Sequence, residues 1–237
     1  VETDNQWQPI FINWRDATLF CAWCDYNARK TYIATSTDGV RWRNREVPTA
    51  PSSLTGKVVG FPTNHGLLTS KGVMMFPCSL PPIEAKCRPT RTRYAGVMLS
   101  GDGGKTWTWS EPIDALPWSK LGDKPEEVSD ELVPIWEPML FEHGDGRIGL
   151  LIRNNTGPGK PHRMLLCATS SDHGRTWTKA RSVEVDTLMS RNFTVSGVGA
   201  RDSLLMAMND NHSRVPDRSP LDRYFLSLFV SPVCDPD

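Results

Sequence analysis

No stretch of 18 apolar residues occurs in this 237-residue chain, so nothing in it reads as a transmembrane helix. The opening V-E-T-D-N-Q-W lacks the basic and apolar regions of a secretory signal, although a leader already removed would leave the same picture. An excess of either charge is missing too. The 27 Lys and Arg are balanced by 27 Asp and Glu, which argues against a nucleic acid or an anionic membrane surface as partner. Any recognition of an anion must then be local. Clustered cysteines are scarce: Cys21 and Cys24 form a single C-x-x-C with no second pair. On a strand, residues three apart face opposite sides, so no metal site is expected there. What is abundant points one way. Nine Trp, 18 Gly and 19 Pro among short apolar runs fit an all-β protein rich in turns.

A repeat gives those turns a pattern. Ser100-x-Asp102-x-Gly104-x-Thr106-Trp107 recurs as Ser170-x-Asp172-x-Gly174-x-Thr176-Trp177, and a shorter copy runs from Ser36 through Asp38 and Gly39 to Trp42. Each follows a strand-like run, Thr31–Thr35, Tyr94–Leu99 or Met164–Thr169. The residue types suit a tight turn. Ser and Asp side chains accept hydrogen bonds from nearby backbone N–H groups, Gly takes a backbone angle closed to other residues, and Trp packs on a neighbouring sheet. The copies open at Ser36, Ser100 and Ser170, 64 and 70 residues apart. At that period the chain holds about three and a half to four sheets.

A second pattern lies ahead of the third copy. Glu137 opens an apolar run, His143-Gly144-Asp145-Gly146 reads as a turn, and Ile148 to Ile152 returns as a buried strand ending at Arg153. Asp-Gly between two hydrophobic runs is a strong hairpin signal. The hairpin brings Glu137 and Arg153 close at the end away from the turn. A carboxylate and a guanidinium there are either a plain ion pair or the start of an anion-handling site.

The three turns resemble the Asp-box (BNR) repeat, and the chain resembles the sialidase, or neuraminidase, superfamily of β-propellers that carries it. The Glu137 strand, the Glu142–Arg147 turn, the strand ending at Arg153 and the box at Ser170 stand in the family's order. Gly60 to Leu68 and Gly72 to Pro77 look like another of its blades, and Arg218-Ser219-Pro220-Leu221 like a segment bearing a further substrate-binding Arg. The resemblance implies a fold of four-stranded antiparallel blades, six in a complete ring. It implies release of terminal sialic acid from glycans by a retaining route that needs neither metal nor organic cofactor. By the same token Glu137 is the catalytic residue, activating a tyrosine nucleophile, and Arg153 and Arg218 bind the sugar carboxylate. His65 and Asn64, in T-N-H-G, are candidates for substrate contact. The structural repeat residues are Ser36, Asp38, Trp42, Ser100, Asp102, Gly104, Trp107, Ser170, Asp172, Gly174 and Trp177.

The family's first-blade R-I-P arginine has no match here, and Tyr224 follows Arg218 too soon to be its nucleophile. Residues 1–237 are therefore expected to form one partial propeller domain within a longer chain. Two other functions fit a propeller with arginines: a polysaccharide lyase acting on uronates, with His65 or a Tyr as base, and a glycan-binding module without catalysis. His143 is expected to be exposed in its turn, and Trp136 to fill the core between sheets. Cys78 and Cys87 flank a loop that a disulfide can close. Sequons at Asn154, Asn192 and Asn211 matter only in a secreted eukaryotic protein, and leave the compartment open with an extracytoplasmic setting slightly favoured.

Overall fold

A computed structural model describes residues 6–13, 17–25, 27–83, 92–114, 133–154, 164–186, 192–196, 203–209 and 226–232. They form four antiparallel sheets taken in chain order. The first contains β1 (Gln6–Asn13), β2 (Leu19–Asp25), β3 (Lys30–Ser36) and β4 (Arg43–Val47). In the second, β5 (Phe61–Pro62) and β6 (Leu67–Leu68) both pair with β7 (Met74–Leu80). There β8 (Tyr94–Ser100) lies between β7 and the short outer strands β9 (Thr108–Trp109) and β10 (Ile113–Asp114). The third runs β11 (Ile135–Glu142), β12 (Ile148–Asn154), β13 (Met164–Ser170) and β14 (Arg181–Asp186), and the fourth β15 (Asn192–Ser196), β16 (Ser203–Asn209) and β17 (Leu226–Pro232). First strands of successive sheets meet: β1 approaches β5 and β6, β6 approaches β11, and β11 approaches β15. This is the up-and-down blade arrangement expected of a propeller.

Stacking of the sheets explains the sequence of each strand. Phe20, Ala22 and Ile33 of the first sheet pack on Met74, Phe76, Met98 and Trp107 of the second. Met75, Val97 and Leu99 on the opposite face of the second meet Leu140, Ile148, Leu150 and Ile152 of the third. Met139, Phe141, Leu151 and Leu165 continue onto Leu204, Met206 and Met208 of the fourth. Strands sandwiched on both faces, such as β7 and β12, are therefore continuous apolar runs. The fourth sheet alternates instead. Its second face carries Phe193, Val195, Leu228 and Val230, all exposed.

The repeat turns join the third strand of a sheet to its outer edge, and they fasten sheets together. In the second copy the Ser100 hydroxyl donates to Asp102 (2.9 Å) and accepts from the Gly104 N–H (2.9 Å), while Asp102 accepts from the Thr106 N–H (2.9 Å) and hydroxyl (2.6 Å). The third repeats this with Ser170, Asp172, Gly174 and Thr176. Gly104 and Gly174 have φ of +81° and +80°. A Cβ on Gly104 would meet the Phe20 ring of the preceding sheet at 2.3 Å, so only glycine fits there. Arg45 of β4 donates to the Gly104 and Lys105 carbonyls, each at 2.7 Å. Trp107 is buried against Phe76 and Phe20, and Trp177 packs on the next core. In the shorter copy Trp42 folds back, its Nε1 donating to the Gly39 carbonyl at 3.2 Å.

Several expectations are corrected. The outer strand β4 is not legible as a strand, since it is exposed through Glu46 and carries no apolar alternation; β14 was likewise not expected, although Val183 and Val185 alternate on it. Ahead of β5 the chain makes a 3-10 turn at Ser52–Leu54, and Val58 forms an isolated antiparallel bridge with Pro82 before strand pairing starts at Phe61. Cys78 is a free thiol buried in β7 rather than half of a disulfide, and Cys87 lies outside the described residues. Asn154 and Asn192 are both 1% exposed, so in the folded chain neither offers its side chain to a glycosyl donor; Asn211 lies outside the described residues. Cys24 is buried, and burial with the neighbouring Asp25 charge pushes its thiol up to about 12. Among the described residues no helix is long and apolar enough to cross a membrane.

The turns set an acid limit. Asp102 is held at about 2 by the Thr106 hydroxyl and N–H; burial raises Asp172, but hydrogen bonds from Thr176, Ser170 and Arg175 outweigh it and leave it also at about 2. Both carboxyls thus hold protons less readily folded than unfolded. Their stabilisation is complete above the usual carboxylate value and is lost as pH falls toward about 2. Thermal melts of Asp102→Asn/Asp172→Asn should fall less steeply across that window than those of the parent. Asp172→Ala should lower Tm at neutral pH by roughly 2–4 °C; an unchanged Tm would refute the fastening role.

Candidate active site

Strict alternation along β11 would not bring Glu137 and Arg153 together. Trp136 is the residue directly opposite Arg153, and Met139 is opposite Leu151, so Glu137 and Pro138 together face Ile152. That is a β-bulge, and it re-aims the side chain that follows Trp136. Glu137 takes φ of +47°, in the left-handed region, directly before a proline that favours extended predecessors. Such a backbone persists only where its surroundings over-determine it. Here they do. The Glu137 N–H donates to the Ser79 hydroxyl at 3.0 Å, and Asn64 Nδ2 donates to the Glu137 and Pro138 carbonyls at 3.0 and 2.9 Å. Ser79 and Asn64 belong to the second sheet, Asn64 lying in the gap that divides β5 from β6.

The bulge places the Glu137 carboxylate on the Arg153 guanidinium, with Nη1 to Oε2 at 2.5 Å. The side chains are 8% and 11% exposed, so the pair is shielded from water on most sides. A charge pair in this setting is worth far more than one at the surface, and removing one member leaves the other buried and uncompensated. The far end of the hairpin is anchored separately. Glu142 accepts from the Ser70 N–H and hydroxyl, both at 2.7 Å, and Asp145 pairs with Arg147 at 2.7 Å. The acid and the guanidinium therefore sit on a ribbon fixed at both ends. A planar fork next to a carboxylate, half enclosed and rigid, can receive a second carboxylate and hold a proton acceptor beside it.

An open cavity of about 360 Å³ is lined by Asn64, His65, Asn192, Phe193, Met208 and Leu226 among others; it connects to the bulge through Asn64, and neither Glu137 nor Arg153 lines it. His65 is half-buried, its ring 4.7 Å from that of Phe193 and its Nδ1 buried without a partner among the described residues. Burial holds its basicity below the usual histidine value. Asn64 is on the cavity wall, and its amide nitrogen is engaged by the two bulge carbonyls. Arg218 lies outside the described residues. His143, expected to be exposed, is 5% exposed and packs on Phe141 at 4.9 Å, because the turn folds over the core. Trp136 packs with Phe61, Val59 and Cys24 between sheets. Asp38, Asp102 and Asp172 are in the repeat turns and not beside Glu137. Ser79 and Asn192 are the residues the sequence did not announce. Pro138 inside an apparent strand is the one sign of the bulge.

Replacing Asn64 tests the clamp. Asn64→Ala should cost about 2–4 kcal/mol, from two lost hydrogen bonds and two stranded carbonyls, read as a lower denaturation midpoint. A midpoint equal to the parent's would mean the bulge does not need it. Arg153→Leu should cost about 3–5 kcal/mol by leaving the Glu137 carboxylate unmatched; Glu137→Gln/Arg153→Leu, which also removes the acidic charge, should recover part of that loss.

Known proteins give the setting. No curated protein matches the chain by sequence. The model of a BNR repeat-like domain matches residues 2–233. Among solved structures, the Hadza microbial sialidase Hz136 superposes with a TM-score of 0.61 at 17% identity, covering 94% of this chain and 42% of that one. NanB sialidase from Streptococcus pneumoniae superposes at 0.54 with 16% identity, over 78% of this chain and 24% of the other. An alpha-L-arabinanase of Penicillium chrysogenum, complexed with arabinobiose, superposes at 0.57 with 14% identity over 85% and 56%. The chain thus spans less than half the length of either sialidase, and the likeness to all three is one of fold, a β-propeller that glycoside hydrolases use. With nearly its whole length matched, the chain belongs to the BNR repeat-like domain family.

Proposed function

We propose that this chain carries part of the active site of a sialidase-like glycoside hydrolase, which releases terminal sialic acid or a related acidic sugar from glycans with retention. The observation that supports this most is the shielded contact between Glu137 and Arg153 on a strained bulge that a neighbouring sheet clamps. Strain and burial of this kind cost stability and concentrate where function requires them. Arg153 supplies a guanidinium to a sugar carboxylate, joined by Arg218. Glu137 accepts the phenolic proton of a tyrosine supplied by the longer parent chain. The phenolic oxygen then bonds to the anomeric carbon as the glycosidic bond breaks, the aglycone leaving as an alcohol protonated by solvent. Water later adds to the anomeric carbon, releasing the free sugar, and the phenol recovers its proton from Glu137. A phenol suits this attack because a carboxylate nucleophile would be repelled by the substrate's own carboxylate.

In the same reading residues 1–237 are one section of a single propeller domain, and are inactive alone. The exposed apolar row Phe193, Val195, Leu228 and Val230 supports this, being the kind of face that a further sheet covers.

Binding and turnover test the two parts separately. Calorimetry with N-acetylneuraminic acid should show binding that weakens about tenfold in Arg153→Lys, which keeps the charge but loses the paired donors. In the full-length parent protein, Glu137→Gln should slow hydrolysis of a fluorogenic sialoside by about 10²–10⁴-fold. Equal affinity in the variant, or release of an ultraviolet-absorbing unsaturated product from a uronate glycan, would overturn the sialidase reading. Sialoside turnover by the 237 residues alone would overturn the partial ring.

A further inference from the structure

The first repeat turn departs from the other two on either side of its tryptophan. Where the second and third copies read Thr106-Trp107-Thr108 and Thr176-Trp177-Thr178, the first reads Arg41-Trp42-Arg43. The threonines serve their own turns. Thr106 and Thr176 donate their hydroxyls to Asp102 and Asp172, and the Thr178 hydroxyl accepts from the Thr169 N–H at 3.0 Å. The arginines do nothing of the kind: neither guanidinium has a hydrogen-bond or ion-pair partner among the described residues. Both line a cavity of about 370 Å³, together with Thr18, Thr35, Thr37 and Asp38. Arg41, Arg43 and Thr37 are exposed and Thr18 and Thr35 half-buried, so a ligand can reach all five. Arg43 lies opposite Thr35, and Ser36 opposite Leu19, which puts the cavity at the turn end of the first sheet. In the third sheet the matching turn follows Ser170, level with Ile148 and Glu142 and so at the far end from Glu137.

We propose that this cavity binds the sulfate ester of a sulfated sugar, held by Arg41 and Arg43. Two unmatched guanidiniums in one hollow select an oxyanion, because each fork supplies paired donors. The number of donors selects its shape. A carboxylate offers two oxygens, whereas a sulfate ester offers three terminal ones, enough to engage both forks and a threonine hydroxyl together. The charge of the lining selects among three-oxygen groups. The Arg41 and Val40 N–H groups hold Asp38 below the usual carboxylate range, so it is ionised at neutral pH. Arg45 is already committed to the Gly104 and Lys105 carbonyls. Two guanidiniums against one carboxylate leave a single positive charge, which a sulfate monoester matches. A phosphate monoester carries about two negative charges at pH 7 and would set the second against Asp38. A cavity of this size has room for the sugar ring as well as the group it bears. The site shares no residue with Glu137 and Arg153 and does not depend on the proposed function.

Calorimetry on the full chain at low ionic strength tests the site, with N-acetylglucosamine 6-sulfate as the probe. Its affinity should fall about tenfold in Arg41→Gln and again in Arg43→Gln, each removing a pair of charge-assisted hydrogen bonds. It should also fall as salt is added, since the cavity is open to water. Both side chains are exposed, so the variants should keep the parent's Tm; if either does not fold, the other carries the test. Lys57→Gln removes an exposed cation ahead of β5 and should leave the affinity unchanged. N-acetylglucosamine 6-phosphate and sodium sulfate should bind more weakly than the sulfated sugar, and N-acetylglucosamine not measurably. Equal affinity in the parent and both arginine variants would overturn the site. An equal loss in Lys57→Gln would do the same, by assigning the binding to overall surface charge. The phosphate ester binding as tightly as the sulfate ester would sink the charge match, and sodium sulfate binding as tightly would leave an ion site with no role for the sugar.

Discussion

The Glu137–Pro138 bulge is the constraint on which the candidate site depends. An unbulged β11 would turn Glu137 to the face opposite Arg153, and the acid and the guanidinium would look into different inter-sheet cores. The bulge costs conformational energy, because a non-glycine residue sits at φ +47° ahead of a proline. Hydrogen bonds from the second sheet offset that cost. Ser79 accepts the bulge N–H and Asn64 caps two carbonyls, so the geometry of one sheet is enforced by its neighbour. The site therefore exists only in the stacked assembly, and not in the hairpin that carries its two charged residues.

Stacking depends in turn on the repeat turns. Each wraps its backbone N–H groups around a Ser hydroxyl and an Asp carboxylate, and the second and third lay a positive-φ glycine against the sheet before, where Phe20 meets Gly104 and Met75 meets Gly174. Polar satisfaction inside the turn and apolar contact outside it are supplied by the same few residues. With the outer edge fixed by these turns, the first strands are brought together at the other edge. There the second sheet gives up a continuous strand, dividing it into β5 and β6, so that Asn64 can reach β11. Loss of regular pairing in one strand is the condition for an ordered irregularity in the next.

Two kinds of polar burial result, and they differ in chemistry. Glu137 and Arg153 answer each other's charge at 2.5 Å. Asn192 is buried without an answering group among the described residues, and the His65 ring packs on Phe193 at 4.7 Å.

Much of the fold was legible because local rules sufficed. The turn residues at Asp38, Asp102 and Asp172 announced their own hydrogen bonds, and apolar runs such as Met74–Leu80 and Ile148–Ile152 marked strands buried on both faces. The outer strand β4 was not legible, since exposure removes the alternation that betrays a strand; β14, not expected either, carries a short alternation at Val183 and Val185. The buried fate of His143 and the clamping role of Asn64 were hidden for another reason: both are set by residues distant in the chain, His143 by the core its turn folds over and Asn64 by carbonyls 73 and 74 positions away. The sequence by itself determined the sheets, their turns and the proximity of Glu137 to Arg153, because hairpin pairing and turn chemistry are short-range. Only the tertiary structure decided that the two side chains share one face and make contact, because the bulge that turns Glu137 is held by hydrogen bonds from a different sheet.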